Sequence, residues 1–155
     1  MEIPEPITVR CSAIVIRQDQ VLLCHRADGF WVLPGGSPHR AEGAPGCAER
    51  EVSQETGLTI RPLGVAFVFD VTSPNGDQHG FEIVFDSEEL DASRMPEGPE
   101  EGLVPSFVAL DSLAELSLLP SISHEIRAFG GHVDRGRIAP YLGNLWIPVP
   151  GTDGH

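Results

Sequence analysis

Glu51 and Glu55 lie one helical turn apart in the stretch "AEREVSQETGL", residues 48–58, with Arg50 before the first, Gln54 between them and Gly57 after the second. At about 100° per residue, Ala44, Ala48, Glu51, Val52 and Glu55 fall in one stripe flanked by Cys47, while Gly46, Glu49 and Ser53 project the other way. A glutamate pair on a helix usually belongs to a solvated face. This pair shares the apolar, inward side, where a carboxylate must be protonated, paired or bound to a cation. Arg50 can neutralise only part of that charge. Upstream, "PGG" at 34–36 lets backbone carbonyls approach a ligand without side-chain interference, and Gly36 is the natural carbonyl donor. Alone, "PGG" is a plain turn. Together, oxygen ligands from Gly36, Glu51 and Glu55 suit magnesium or manganese better than zinc, and such a cation bridges carboxylates to phosphates.

Several elements must hold these groups in place. "ITVRCSAIVI" alternates as a strand over 7–16, "RQDQ" reads as a turn and "VLLCHR" as the hairpin partner, followed by a short strand "FWVLP" and the loop "GGSPHRAEG". Pro45 suits a first helical turn and Gly57 the position just past the end, which predicts a helix over 44–56. "LGVAFVFDV" and "HGFEIVFDS" flank "TSPNGDQ" as a second hairpin. After the acidic surface loop "DASRMPEGPEEG", "LVPSFVAL" is expected as the last strand. "DSLAEL" should open on an Asp cap, and "LPSISHEIRAF" reads as the final helix. The chain divides into a single domain over 1–135 and a mostly irregular tail over 136–155. In that tail Tyr141, Leu142, Leu145, Trp146 and Ile147 are too apolar to hang free and are expected to pack on the domain or on a second subunit.

The 155-residue chain is large enough to bury a substantial core, and with 41% hydrophobic and 21% charged residues it suits a soluble globular fold. Ten basic against 23 acidic residues give a formal charge of -13, which argues against a nucleic-acid duplex or an anionic membrane as partner. A small polyanion remains compatible if a cation shields it. No apolar run approaches the eighteen or so residues of a membrane span, and "MEIPEPITVR" lacks a basic region followed by an apolar one, so a cytoplasmic location is expected. Cys11, Cys24 and Cys47 are odd in number and lack C-x-x-C spacing, which suits reduced core residues.

From Gly36 to Leu58 the chain resembles the signature of the Nudix hydrolases, G-x5-E-x7-R-E-U-x-E-E-x-G-U with U aliphatic. Gly36, Glu42, Arg50, Glu51, Val52, Glu55, Gly57 and Leu58 fit in register, and Gln54 departs, standing where the family has the first of two adjacent glutamates. The order of strands also resembles the family's α/β/α sandwich with a mixed β-sheet, so the resemblance covers most of residues 7 to 130. It implies a divalent-metal-dependent pyrophosphohydrolase, in which water attacks one phosphorus of a nucleoside diphosphate linked to another group, with Mg2+ or Mn2+ as cofactor.

Carried over by position, the resemblance makes Glu51 and Glu55 metal ligands and Gly36 a carbonyl ligand, with Gln54 able to keep one coordination position through its amide oxygen. Arg50 becomes the residue that orients the glutamate carboxylates, and Glu42 a brace between loop and helix. The family often adds an acid from a late loop. Glu100 and Glu101 are the candidates, and Glu101 is taken as the catalytic one, although either acid alone reads as a solvated charge. The base is Glu51 or an acid outside the motif. Phe30, Trp31, Phe67, Phe69, Phe81 and Phe85 could stack on a nucleobase, with core packing the commoner role, and His25, Arg26 and His79 could reach phosphate. Family members are commonly dimers, which makes the tail a possible homodimer element. Two alternatives stand beside the enzyme: a non-catalytic nucleotide sensor on the same fold, and a hydrolase of a prenyl or sugar diphosphate.

Overall fold

A computed structural model describes residues 6–148. The chain runs β1 (Thr8–Arg17), β2 (Gln20–Arg26), β3 (Trp31–Val32), β4 (Gly35–Gly36), α1 (Ala44–Thr56), β5 (Ile60–Thr72), β6 (His79–Glu89) and β7 (Leu103–Ala109). A 3-10 turn at Leu110–Glu115, α2 (Ser123–Phe129), a 3-10 turn at Arg135–Arg137 and β8 (Tyr141–Asn144) complete it. The sheet is mixed, in the order β3-β2-β1-β6-β5-β8, with β4 also on β1 and β7 also on β2. β1 with β6 and β5 with β8 are parallel, and β1 with β2 and β5 with β6 are antiparallel.

The alternation along β1 builds both faces of this sheet. Ile14 joins Val21, Leu23, Phe67, Phe69, Val84 and the α2 residues Ile126 and Phe129 in one cluster. Ala13 and Val15 point the other way, with Leu22, against Val52 of α1 and Leu58 just beyond it, and Cys11 packs with Cys47 and Ala48. One helix therefore covers each face, giving the α/β/α sandwich. The three cysteines are buried and free. Burial, first among the causes, pushes the thiols of Cys24 and Cys47 up to about 12.

The helix expected over 44–56 forms there, with Pro45 in its first turn and Gly57 closing it in the left-handed region at φ 74°. Three expectations need correction. The final helix begins only at Ser123, because Leu118 bridges to Trp31 and the Leu119 N–H donates to the Trp31 carbonyl, which holds this segment extended. Asp111 is no cap, since the turn starts after Ala109 without a side-chain bond and Asp111 lies inside its first turn. β7 is not the last strand, because residues 141–144 add β8 to the edge of β5.

That edge is closed by side chains as well as backbone. The Asn144 amide accepts from the Thr72 N–H at 3.0 Å and donates to the Thr72 carbonyl at 2.8 Å, and the Leu145 N–H donates to the Asp70 carbonyl at 3.0 Å. Tyr141 donates its hydroxyl to Asp70 at 2.6 Å, and Trp146 Nε1 donates to Gln78 Oε1 at 2.9 Å. Leu142 and Leu145 pack against the α2-side core. Residues 141–146 thus run along β5 and reach the β5–β6 hairpin of their own chain.

Candidate active site

β1 and α1 hold the short strand β4 between them. Gly35 and Gly36 pair with Ser12 and Cys11, and the space beside each is already taken. A Cβ on Gly35 would collide with the backbone of Cys11 and Ser12, and one on Gly36 would displace the Glu51 carboxylate. The Gly36 carbonyl faces α1 and accepts from Cys47 Sγ at 3.3 Å.

The acids occupy the shoulder of the buried stripe of α1. Cys47, Ala48, Val52 and Thr56 are its buried residues, while Glu51 and Glu55 are half-buried beside them. Glu55 Oε2 accepts the Gly35 N–H at 3.1 Å. Burial is the main cause that pushes the Glu55 carboxyl up to about 7; the Gly35 N–H and the Arg10 charge oppose it, and the Glu51 and Glu100 charges add to it. A cation bound there would stabilise the carboxylate and displace the proton to water.

Arg50 joins the site together. Its Nε and Nη2 donate to the two oxygens of Glu42 at 2.8 and 2.9 Å, Nη2 also donates to the Ser37 carbonyl at 3.0 Å, and Nη1 donates to Glu51 Oε1 at 2.8 Å. The Arg50 hydrogen bonds, with a further one from the His39 N–H, hold the Glu42 carboxyl down at about 2. Gln54 is exposed, and its amide oxygen accepts from Arg50 Nη1 at 3.1 Å. Glu100 and Glu101 are both exposed, and of the two it is Glu100 whose charge acts on Glu55 and Cys24.

Oxygens of Glu51, Glu55 and the Gly36 carbonyl, the first two beside β4, are of the kind that would suit a hard divalent cation. No group of three or more His, Cys, Asp or Glu side chains converges as a metal cage among the described residues.

Glu55 lines a cleft of about 700 Å3 together with Arg10, Arg26, His79, Phe81 and Glu82. Val71, Leu119 and Pro120 add apolar lining, beside Arg26 and Gln78. There the cleft meets a second hollow of about 200 Å3 walled by Leu145, Trp146 and Ile147 of the tail. Of the aromatic candidates, Phe67, Phe69 and Phe85 are core residues and Phe81 lines the cleft. Trp31 stacks on His25 with ring centroids 4.1 Å apart.

The cleft floor holds a group that motif reading misses. Arg10 Nη1 pairs with Glu82 Oε1 at 3.0 Å, Arg10 Nη2 donates to the Leu33 carbonyl at 2.7 Å and to the Gly35 carbonyl at 3.4 Å, and Ser12 Oγ donates to Glu82 Oε2 at 2.7 Å. Burial, the largest single cause, works against the Arg10 charge, but Glu82, by charge and hydrogen bond, together with Glu55 and Cys24 outweighs it and the guanidinium pKa is raised. The signal was present in the sequence as period two: Arg10 and Ser12 fall on the same side of β1 as Ile14 and break its apolar pattern.

A family model of the NUDIX domain matches residues 6–136. Among solved structures, the chain is similar to a MutT NUDIX hydrolase from Burkholderia pseudomallei, at 26% identity and TM-score 0.61, over 69% of this chain and 86% of that one. It is also similar to a NUDIX hydrolase from Nitrosomonas europaea, at 21% identity and TM-score 0.72, over 93% and 81% of the two chains. A third is an ADP-ribose pyrophosphatase from Streptococcus suis, at 20% identity and TM-score 0.66, over 90% and 98%. None of the curated proteins compared matches the chain. With eight signature positions in register, their side chains gathered around β4 and α1, and a family match over most of its length, the chain belongs to the NUDIX family and is a Nudix hydrolase.

Proposed function

We propose that this hydrolase is a cytoplasmic, divalent-metal-dependent pyrophosphohydrolase that cleaves the diphosphate of a nucleoside diphosphate linked to a second group, by attack of water on phosphorus. The observation that carries the reading is the cleft of about 700 Å3, which is lined by Glu55 and Arg10 as well as by Val71, Leu119 and Pro120, and which shares lining residues with the tail hollow. A diphosphate suits the charged lining and a flat, mostly apolar base the apolar lining. The ADP-ribose pyrophosphatase from Streptococcus suis shares the fold, and its substrate type is adopted here as part of the proposal.

Divalent metals are general cofactors of Nudix hydrolases. In this chain Glu51, Glu55 and the Gly36 carbonyl would hold Mg2+ or Mn2+, with the Gln54 oxygen at the margin. When bound, the cation supplies positive charge to the phosphoryl oxygens of the substrate. The other tasks fall to the protein. Arg50 acts by orienting Glu51 through Oε1 while its fork on Glu42 anchors the loop. The Gly35 N–H holds Glu55 Oε2 and so aims the carboxylate at the cleft. The proton of the attacking water passes to Glu51 or to a late-loop acid. Glu100, whose charge reaches Glu55, is better supported for that task than Glu101.

A phosphate-release screen over ADP-ribose, nucleoside triphosphates, dinucleoside polyphosphates, nucleotide sugars and prenyl diphosphates, with magnesium and with manganese, tests the reading. Turnover of a nucleotide-linked diphosphate is expected. Turnover only of a prenyl or sugar diphosphate would move the substrate class. Gln54, one negative charge short of the family pattern, favours a second reading, a sensor that binds nucleotide without hydrolysis, and turnover of no substrate in the screen would select it.

A further inference from the structure

The cleft of a chain with formal charge -13 must accept an anion, yet Glu55, Asp77 and Glu82 all contribute negative charge to its lining. Among the described residues only two arginines line it, Arg10 and Arg26. Arg26 is bound to Asp28 at 2.6 Å. Arg10 is held differently. It lies directly across the β1–β6 ladder from Glu82, which is 6% exposed and holds one side of the guanidinium, while the Leu33 carbonyl holds another at 2.7 Å. About a third of the Arg10 side chain is still exposed.

The next pair inward on the same face of these strands is Ser12 and Val84, with the core residue Ile14 beyond Ser12 on β1. An apolar pair would satisfy the packing at 10 and 82 as well, and buried ion pairs are commonly matched or exceeded in stability by apolar replacements. The ion pair is therefore weak evidence of a stabilising role, although Ser12 Oγ and the Leu33 carbonyl also bond to it. A guanidinium with its rotamer already set, in the cleft lining that also holds Glu55, offers an oxyanion a donor that loses little further freedom on binding.

We propose that Arg10 is a substrate-binding residue: its guanidinium, aimed by Glu82 and the Leu33 carbonyl, receives a phosphoryl oxygen of the diphosphate on the cleft floor next to Glu55. Glu82 is then a positioning residue, whose charge opposes the anion while its geometry presents the arginine. The inference rests on the diphosphate reading above, but its test needs no turnover.

Calorimetric binding of inorganic pyrophosphate and of ADP-ribose is measured in EDTA, with adenosine as a phosphate-free control. Arg10→Met combined with Glu82→Met removes both charges of the pair; because Ser12 Oγ and the Leu33 carbonyl lose these partners, it should stay folded and melt somewhat below the wild type. It should bind both anions at least about tenfold more weakly, the loss expected for a charge-assisted contact, and leave adenosine unchanged. Glu82→Gln should bind the anions as tightly as the wild type or more tightly, an outcome that a purely bracing pair would not give. If the double variant does not fold, Arg10→Lys decides, with several-fold weaker anion binding expected. The proposal is overturned by wild-type anion affinity in the folded double variant or in Arg10→Lys, by Glu82→Gln losing affinity as the double variant does, or by no measurable anion binding to the wild type. Arg10-dependent binding without hydrolysis of any substrate would sink the enzyme reading and leave this one standing.

Discussion

Arg50 grips Glu42 with a two-pronged contact, Nε to Oε2 at 2.8 Å and Nη2 to Oε1 at 2.9 Å, so that the loop after β4 is tied to α1 by one side chain. A lysine offers a single ammonium and cannot reproduce the fork while also reaching Glu51 and the Ser37 carbonyl. Arg50→Lys should therefore lower turnover by about 10- to 100-fold through misplacement of Glu51, with a lower melting temperature. The Glu42 carboxyl is held below its ordinary value, so its contribution to stability is present above about 4.5 and is lost as pH falls towards about 2. Glu42→Gln should remove that acid transition, which a pH series of thermal melts reads directly. An Arg50→Lys protein with wild-type turnover would refute the anchoring role.

Glu55 predicts the opposite sign in the metal-free protein. Its carboxyl is raised to about 7, so the folded state holds a proton that the unfolded chain releases near 4.5. Stability from this group is complete below about 4.5 and declines as pH rises through about 7. In chelator, the wild type should lose on the order of 1–2 kcal/mol across this window after solvent screening, which is a few degrees in melting temperature. Glu55→Gln should flatten that slope, and matching slopes for the two proteins would show that Glu55 is not the group responsible.

Gln54 shares Arg50 Nη1 with Glu51, at 3.1 and 2.8 Å. Gln54→Glu restores the missing charge at the edge of the donor set and should lower the magnesium concentration for half-maximal activity several-fold, with turnover at saturating metal changing less. A titration at fixed substrate decides. An equal or higher magnesium requirement in the variant would mean that the amide serves only as a partner of Arg50.

The amide of Asn144 makes two hydrogen bonds to Thr72 and so substitutes for backbone pairing at the edge of β5. Asn144→Ala should cost about 1–3 kcal/mol and loosen the Trp146 wall of the tail hollow, raising KM for a nucleotide-linked substrate more than it lowers kcat. Solution mass measured alongside tests the tail as a subunit contact. If the variant lowers the oligomeric state without lowering stability, the tail acts between chains rather than within one.

What the sequence makes legible follows from the range of each interaction. The span of α1 is readable because its punctuation, Pro45 and Gly57, is local, and the Gly36, Glu51 and Glu55 grouping is readable because helix periodicity and one short loop connect the three. β8 is hidden because "YLGN" carries a glycine and becomes a strand only when Asn144 and Leu145 bond to β5. The late start of α2 depends on Leu118 and Leu119 pairing with Trp31, a contact across the fold. Arg10 and Glu82 meet only because β1 and β6 run parallel in register, so neither residue announces the other in the sequence.

The most direct test of the account is steady-state turnover of the best substrate from the screen by Glu51→Gln and Glu55→Gln, titrated with magnesium. Both variants should stay folded and lose turnover by on the order of 10²–10³-fold, with no recovery at saturating metal. Either variant working at near wild-type rate at low magnesium would contradict the assignment of the two acids that face β4.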